Sequence, residues 1–221
     1  MNEQHPACQA YSLERDEMVD LQIRKRGIFS PGVLHAMKQI PRHLFVPEKL
    51  ITAAYDDCPL PIGHGQTISQ PYIVALMTDL LNLTGKEKVL EVGTGSGYQT
   101  AVLAELAHFV FSLEFEGNLV PASRDRLHDL DIINICVLQM DGSLGFEPEA
   151  PFDRIIVTAG APQVPPKLIE QLASNGRMVV PVGDRFSQTL QIWKKDAAGH
   201  PSCENHIPVV FVPLRGEFGW Y

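Results

Sequence analysis

A glycine-rich run is the sharpest chemical feature of the sequence. It covers residues 91–98 (EVGTGSGY), between a predicted strand over 88–92 and a predicted helix over 97–107. Glycines at such a junction let the chain turn tightly and let a ligand come close to the main chain. Ligands of open α/β sheets bind at the carboxyl ends of strands, so we expect a cofactor at this loop.

The spacing of these glycines separates two classes of cofactor. A dinucleotide fingerprint is G-x-G-x-x-G, but its third glycine would fall on Tyr98, so the pattern here is G-x-G-x-G. No Lys-Ser/Thr pair follows, which argues against a P-loop. The carboxylate of Glu91 suits a ligand with an ammonium and a sulfonium better than a pyrophosphate. The loop favours S-adenosylmethionine over a nicotinamide dinucleotide, with a purely structural glycine turn as a third interpretation.

Two further carboxylates follow predicted strands. Glu114 ends a predicted strand about 20 residues after the loop, where a carboxylate can accept both hydroxyls of a ribose. Asp141, followed by Gly142, could accept a hydrogen bond from the amino group of an adenine. Each has a simpler interpretation, a surface glutamate and an Asp-Gly turn.

The elements that must position these residues alternate along the chain from residue 88 onward. The predicted strands cover 88–92, 109–114, 135–139, 153–158, 177–182, 188–194 and 207–213, and the predicted helices cover 97–107, 117–130 and 165–174. This alternation predicts the α/β class, with a doubly wound parallel sheet and an antiparallel strand pair at the C-terminus.

The residues before position 86 predict a helical extension. The predicted helices cover 13–27, 30–39 and the segment that Pro71 opens, whereas 47–69 is predicted to be mostly loop. We therefore divide the chain into an N-terminal extension with the substrate-site loop (1–85) and a Rossmann-like core (86–221). The two parts are expected to form one compact unit.

Composition excludes several classes of protein. The chain has 221 residues, of which 45% are hydrophobic and 20% charged, which is typical of a globular domain. No apolar run approaches the roughly 20 residues that cross a bilayer, and the N-terminus lacks a signal-peptide pattern, so we expect a cytoplasmic protein without membrane contact.

Charge and cysteine spacing exclude further classes. The net charge of −8 argues against a nucleic-acid substrate. The one dense basic cluster, residues 24–26, is interpreted as a solvated helix face. The spacing of the four cysteines predicts neither a disulfide framework nor a metal site.

Several motifs resemble one family, the protein-L-isoaspartate O-methyltransferases. They are residues 61–71 (PIGHGQTISQP), Asp141-Gly142, residues 150–159 (APFDRIIVTA) and residues 176–183 (GRMVVPVG). The resemblance runs from about residue 13 to the C-terminus, and the segment 61–71 is its most specific part. It implies the class I S-adenosylmethionine-dependent methyltransferase fold, S-adenosylmethionine as donor with S-adenosylhomocysteine as product, and repair of L-isoaspartyl sites in damaged proteins and peptides.

The resemblance also implies a set of site residues. Ser69 corresponds to the family's active-site serine and is the expected catalytic residue. The implied cofactor-binding residues are Ile68, Ser69, Glu91, Gly93, Thr94, Gly95, Ser96, Gly97, Glu114, Asp141 and Gly142. The implied substrate-binding residues are Thr67, Ser69, Val157, Thr158, Ala159, Pro181 and Val182. Some members carry histidine where this sequence has Tyr72 and Val74, so a role of an imidazole there does not carry over.

A carboxylate acceptor needs no general base. Its usual pKa of about 4 leaves it ionised at pH 7, so the sequence needs no Ser-His-Asp set. What remains is alignment, which supplies on the order of 7–11 kcal/mol in favourable cases. Ser69 lies just before the helix that Pro71 opens, so its hydroxyl and the free N–H groups of that helix end can hold the carboxylate. The simpler interpretation is that Ser69 only caps the helix.

Three rival functions stay open at this point. The first is a carboxyl methyltransferase that acts on aspartates of another peptide substrate. The second is a nicotinamide dehydrogenase, which Tyr98 disfavours. The third is a cofactor-binding protein without turnover, which the combination of loop, carboxylates and serine disfavours. The expected partners are isoaspartyl-containing proteins and peptides, and the expected state is a monomer.

Overall fold

The chain folds into one mixed sheet flanked by helices, with a small hairpin in front of it. The computed structural model describes residues 9–220. Its helices are α1 (Ser12–Glu17), α2 (Pro31–Gln39), α3 (Pro71–Leu81), α4 (Tyr98–Ala104), α5 (Val120–Asp129) and α6 (Pro166–Gln171). Its strands are β1 (Leu60–Gly63), β2 (Gln66–Ile68), β3 (Lys88–Val92), β4 (Phe109–Glu114), β5 (Ile135–Gln139), β6 (Phe152–Val157), β7 (Leu172–Gly183), β8 (Gln188–Lys195) and β9 (Pro201–Val209).

The order of strands in the large sheet is β5-β4-β3-β6-β7-β8-β9. The first five of these pair in parallel, whereas β8 runs antiparallel to both of its neighbours. The predicted α/β class with an antiparallel C-terminal pair is confirmed. Because β3 lies between β4 and β6, the winding direction of the chain reverses there, and a crevice opens at the carboxyl ends of β3 and β6.

The central strand β3 is buried on both faces, as its nearly continuous apolar run requires. Successive side chains point to opposite faces, so Val89 joins the hydrophobic cluster that also contains the N-terminal helices, and Leu90 joins the other. Phe45 of the extension packs edge-on against Tyr98, with ring centroids 5.5 Å apart. The extension thus shares a core with the sheet, and its division from the rest at residue 85 stays a prediction.

The helix predicted over 13–27 is present but irregular. After α1 the chain continues as a π-helical segment, Met18–Ile23, and a 3-10 turn, Arg24–Arg26. Gly27 follows with a φ of 96°, a left-handed conformation that favours glycine and ends the helix.

The prediction that 47–69 is mostly loop was wrong. The segment contains a 3-10 helix, Glu48–Ala53, and the hairpin of β1 and β2. The hairpin turns through His64 and Gly65, whose φ values of 52° and 70° are those of a type I′ turn. Proline and glycine in this segment concealed the strand pattern, because both residues are typical of loops.

The helix predicted over 165–174 is shorter in the structure. It ends at Gln171, and β7 begins at Leu172, which pairs with Phe152 of β6. The last predicted strand also shifts, since β9 covers Pro201–Val209 and not 207–213, whereas β8 differs from its predicted range of 188–194 by one residue. Sheet pairing, which no local pattern records, sets these boundaries.

Residues 9–220 contain neither a candidate membrane span nor a candidate metal site. No helix in that range is both long and apolar enough to cross a membrane. No group of three or more His, Cys, Asp or Glu side chains there is placed to hold a metal ion. Cys58, Cys136 and Cys203 are free thiols, and Cys8 and Tyr221 lie outside the described residues.

Candidate functional site

An open cleft lies at the carboxyl ends of β3 and β6, where the crevice of the sheet opens. It is open to solvent and is lined by both polar and apolar side chains, as small-molecule sites are. The predicted site residues that it brings together are Thr67, Ile68, Ser69, Gly93, Thr94, Gly95, Ser96, Glu114, Gly142, Thr158 and Ala159. Segments far apart in sequence thus meet at one edge of the sheet.

The hairpin carries Ser69 into this cleft. Thr67 and Ile68 pair with Pro61 and Leu60, and Ser69 follows immediately, before α3 begins at Pro71. No side chain caps the N-terminus of α3, and the Ser69 hydroxyl has no hydrogen-bond partner within residues 9–220. The simpler interpretation, that Ser69 only caps the helix, is therefore not supported. Its hydroxyl lines the cleft with its hydrogen-bonding capacity free.

The glycine loop is held against the end of β4 by Glu114. The Gly95 N–H donates to Oε2 of Glu114 at 2.7 Å, and the Glu116 N–H donates to Oε1 at 2.8 Å. A carboxylate has about four lone-pair sites, so two remain after these bonds. Within the described chain, Glu114 is the one carboxylate that lines the cleft.

Glu91 does not line the cleft. Its side chain is fully buried behind the glycine loop, where Oε2 accepts from Ser112 Oγ at 2.6 Å and from Thr100 Oγ1 at 2.5 Å. Burial raises the pKa of Glu91 to about 8, the nearby Glu114 carboxylate adds to this rise, and the two hydroxyls act against it. The carboxyl is therefore largely neutral at pH 7.

The structure places Glu91 behind the cleft lining, and its role as a partner of the cofactor stays a prediction. The residue acts on the loop indirectly, because Ser112 Oγ also lies 2.6 Å from Thr94 Oγ1. A chain of hydroxyls thus connects the buried acid to the cleft lining. The carboxylate that lines the cleft directly is that of Glu114.

Replacing Glu91 with glutamine should flatten the pH dependence of stability between about pH 4.5 and 8. Because the folded-state pKa is raised, the folded protein keeps a proton that the unfolded chain loses in this window. The parent is therefore most stable below the unfolded pKa and loses stability as pH rises through the folded pKa, by at most about 1.4 kcal/mol per pH unit. Thermal unfolding from pH 4.5 to 8.5 measures the difference.

The matched control for this experiment is Glu48→Gln, because Glu48 is exposed. That variant should keep the pH dependence of the parent protein. Equal slopes in the parent and Glu91→Gln would show that Glu91 is ionised in the folded state as it is in the unfolded chain.

Asp141 lies beside the cleft and binds the C-terminal segment. Its Oδ1 accepts from the N–H and the hydroxyl of Ser143 at 2.9 and 2.7 Å, and its Oδ2 accepts from the Glu217 N–H at 2.8 Å. Only the neighbouring Gly142 lines the cleft itself. The contact of Asp141 with an adenine stays a prediction.

Four other predicted site residues do not line the cleft. Gly97 lies at the start of α4. Val157 is fully buried and pairs with Val92 inside the sheet. Pro181 and Val182 belong to β7, where the Pro181 carbonyl accepts from the Ala161 N–H at 2.9 Å. Strand pairing occupies the main chain of the motif 176–183, and its contact with the substrate stays a prediction.

The sequence did not predict several residues of the cleft. They are Gln66, Val74, Val92, Tyr98, Gln99, Phe115 and the segment 212–215. That segment crosses the cleft because the Gly160 N–H donates to the Val212 carbonyl and the Leu214 N–H donates to the Gly160 carbonyl, both at 2.8 Å. No local signal could have found these long-range bonds.

Arg215 belongs to this group of cleft residues. Its guanidinium donates to the Glu116 carboxylate at 3.0 Å and lies over the ring of Phe115. The C-terminal segment is thus fixed at the edge of the cleft.

Comparison with known proteins gives one consistent result. A model of the family described as protein-L-isoaspartate(D-aspartate) O-methyltransferase matches residues 13–218. The chain is 51% identical over 210 residues to the protein-L-isoaspartate O-methyltransferase of Geobacter metallireducens, which covers 95% of this chain and 97% of that protein. It is 53% identical over 212 residues to that of Syntrophus aciditrophicus, with the same coverage of both chains.

Solved structures agree with these relatives. A crystal structure described as a protein-L-isoaspartate O-methyltransferase from Plasmodium falciparum with S-adenosylhomocysteine superposes with a TM-score of 0.78 and 27% identity, over 91% of this chain and 98% of that one. Another protein-L-isoaspartate O-methyltransferase superposes with a TM-score of 0.84 and 27% identity, over 93% of this chain and 67% of that one.

Proposed function

Because the chain belongs to the protein-L-isoaspartate O-methyltransferase family, we propose that one side of its cleft binds the methyl donor and the other side binds the acceptor. The donor is S-adenosylmethionine, and the acceptor is the free carboxylate of an isoaspartyl residue in a protein or peptide. The observation that carries the assignment is the free hydroxyl of Ser69 in a cleft that also contains the glycine loop.

The donor side of the cleft fits this cofactor. Residues 93–96 present the main chain and two small hydroxyl side chains, so a ligand can approach closely. Glu114 has lone pairs left for the two hydroxyls of a ribose, and its charge favours a cation at the cleft. When bound, the cofactor supplies an electrophilic methyl group on a sulfonium.

The acceptor side must hold a carboxylate that is already ionised. The Ser69 hydroxyl can donate to one carboxylate oxygen, and the uncapped N-terminus of α3 offers N–H groups and a positive helix end beside it. Thr158 cannot share this task freely, because its single hydroxyl hydrogen is engaged by the carbonyls of Gly93, at 2.6 Å, and Val92, at 3.0 Å. Ser69 is therefore assigned the orientation of the attacking oxygen.

The test is methyl transfer from labelled S-adenosylmethionine to two peptides that differ only in an Asp or isoAsp linkage. We expect label in the isoAsp peptide alone, as a base-labile ester, since only that linkage presents the acceptor that the family methylates. Label in the Asp peptide would favour the alternative function, methylation of aspartates in another peptide. No label in either peptide would contradict both.

Location and assembly are part of the proposal. We keep a cytoplasmic monomer that does not act on nucleic acid as the prediction for this chain. The net charge of −8 supports the last part, because phosphate backbones are bound by basic surfaces.

A further inference from the structure

A groove continues from the cleft along the first turn of α3. It shares Thr67, Ser69 and Thr158 with the cleft and extends to Tyr72 and Arg26, which the cleft does not include. Its other wall is the segment 207–212, which consists of the last three residues of β9 and the three residues that follow. A peptide whose isoaspartyl carboxylate lies at Ser69 has this groove directly beside it.

Arg26 is held in a fixed orientation in this groove. Its guanidinium carbon lies 3.4 Å from the centroid of the Tyr72 ring, and its Nη1 lies 3.1 Å from Oδ2 of Asp57. Stacking on a ring and one ion pair together restrict a long side chain that is otherwise mobile.

Most of the donors of Arg26 remain available. A guanidinium has five N–H donors, and within residues 9–220 only the bond to Asp57 uses one. The side chain is 42% exposed, so the free donors are reachable from solvent.

Arg26 is also the only charged side chain that lines the groove in the described part of the chain. Asp57 is outside the lining, as are Arg24, which pairs with Asp20, and the neighbouring Lys25. The ion pair with Asp57 offsets part of the Arg26 charge, but Asp57 lies outside the lining, so the charged group that the groove presents to a ligand is the guanidinium, which attracts negative groups.

We propose that Arg26, stacked on Tyr72, binds a carboxylate side chain of the substrate segment that flanks the isoaspartyl residue. A guanidinium can form two parallel hydrogen bonds with a carboxylate, so the contact has a defined geometry in addition to electrostatic attraction. The inference rests on the proposed function, since it assumes that the isoaspartyl carboxylate lies at Ser69. It gives the enzyme a preference for damaged segments with an acidic neighbour at a particular distance.

The test uses a set of isoaspartyl peptides with Glu at one flanking position at a time and Gln at all others. The readout is the ratio of kcat/KM for each Glu peptide to that for the all-Gln peptide. We expect one position at which the ratio is about three to five for the parent protein, as for a partly exposed ion pair. The ratio should fall to about one in Arg26→Gln.

Two further variants complete the design. Arg24→Gln is the matched control, because it removes a neighbouring charge outside the groove, and it should keep the preference of the parent. Arg26→Lys should keep only part of the preference, because lysine keeps the charge but loses the planar, bidentate contact. Binding of S-adenosylhomocysteine and thermal unfolding verify that each variant is folded.

Three outcomes would overturn the inference. They are equal ratios at every position in the parent, a preference that survives in Arg26→Gln, and a preference that is lost equally in Arg24→Gln, which would indicate a diffuse charge effect. Failure of the parent to methylate any isoaspartyl peptide would instead contradict the proposed function, and the inference with it.

Discussion

The Ser69→Ala variant should turn over an isoaspartyl peptide about 10–150 times more slowly than the parent, because a hydrogen bond to a charged group contributes roughly 1.5–3 kcal/mol. The lost donor is one that the structure leaves free for a ligand. Without this donor, the carboxylate oxygen is no longer held in line with the methyl carbon and the sulfur, as the attack requires. Steady-state kcat at saturating cofactor measures the effect.

Ser202 provides the matched control for this variant. It is an exposed serine on β9, next to Pro201 and at the opposite end of that strand from the groove. Ser202→Ala should retain the kcat of the parent. If Ser69→Ala turned over the peptide at the rate of Ser202→Ala, Ser69 would not orient the acceptor.

The Gly93→Ala variant should lose both stability and affinity for S-adenosylhomocysteine. Gly93 has a φ of 101°, and a Cβ there would lie 2.3 Å from Thr158 Oγ1. The left-handed backbone costs roughly 1–2 kcal/mol and overpacking typically another 1–3 kcal/mol, so we expect about 2–5 kcal/mol in the free energy of unfolding. Either the loop or the Thr158 side chain, which also lines the cleft, must shift to relieve the contact. Affinity should therefore fall by about tenfold, which corresponds to 1.4 kcal/mol.

Gly85 separates the two causes. It lies just before the amino end of the same strand, has a φ of 93°, and a Cβ there would meet no atom within 4 Å. Gly85→Ala should therefore lose only the backbone contribution of about 1–2 kcal/mol and bind S-adenosylhomocysteine like the parent. Denaturant unfolding and calorimetry measure the two quantities. Equal losses in both variants would exclude the contact with Thr158 as a cause.

Local patterns predicted the elements of the sheet well where the strands are short and apolar. The bounds predicted for β4 and β5 are those of the structure, because each is a compact apolar run between polar residues. The hairpin was missed, since its turn uses His64 where asparagine is the usual signal. The start of β7 was missed because pairing with β6 determines it.

The site was predictable to the extent that its residues are neighbours in sequence. The glycine loop and the segment around Ser69 lie in the cleft because each follows a strand directly. Glu91 lies outside the cleft lining because a strand alternates its side chains, and this one points into the core with Val89, so its contact with the cofactor stays a prediction. The segment 212–215 depends on bonds to Gly160, across about 50 residues of chain, and no pattern near it records them.

Because the winding of the chain reverses at β3, different segments form the two sides of the crevice. On one side of the crevice, the ends of β3 and β4 present the loop and Glu114. On the other side, the hairpin, the end of β6 and the segment 207–212 present Ser69 and the groove. Because separate segments form the two sides, the acceptor side can accumulate substitutions while the donor side stays intact. New acceptor preferences can then evolve without the ancestral cofactor being lost at any step.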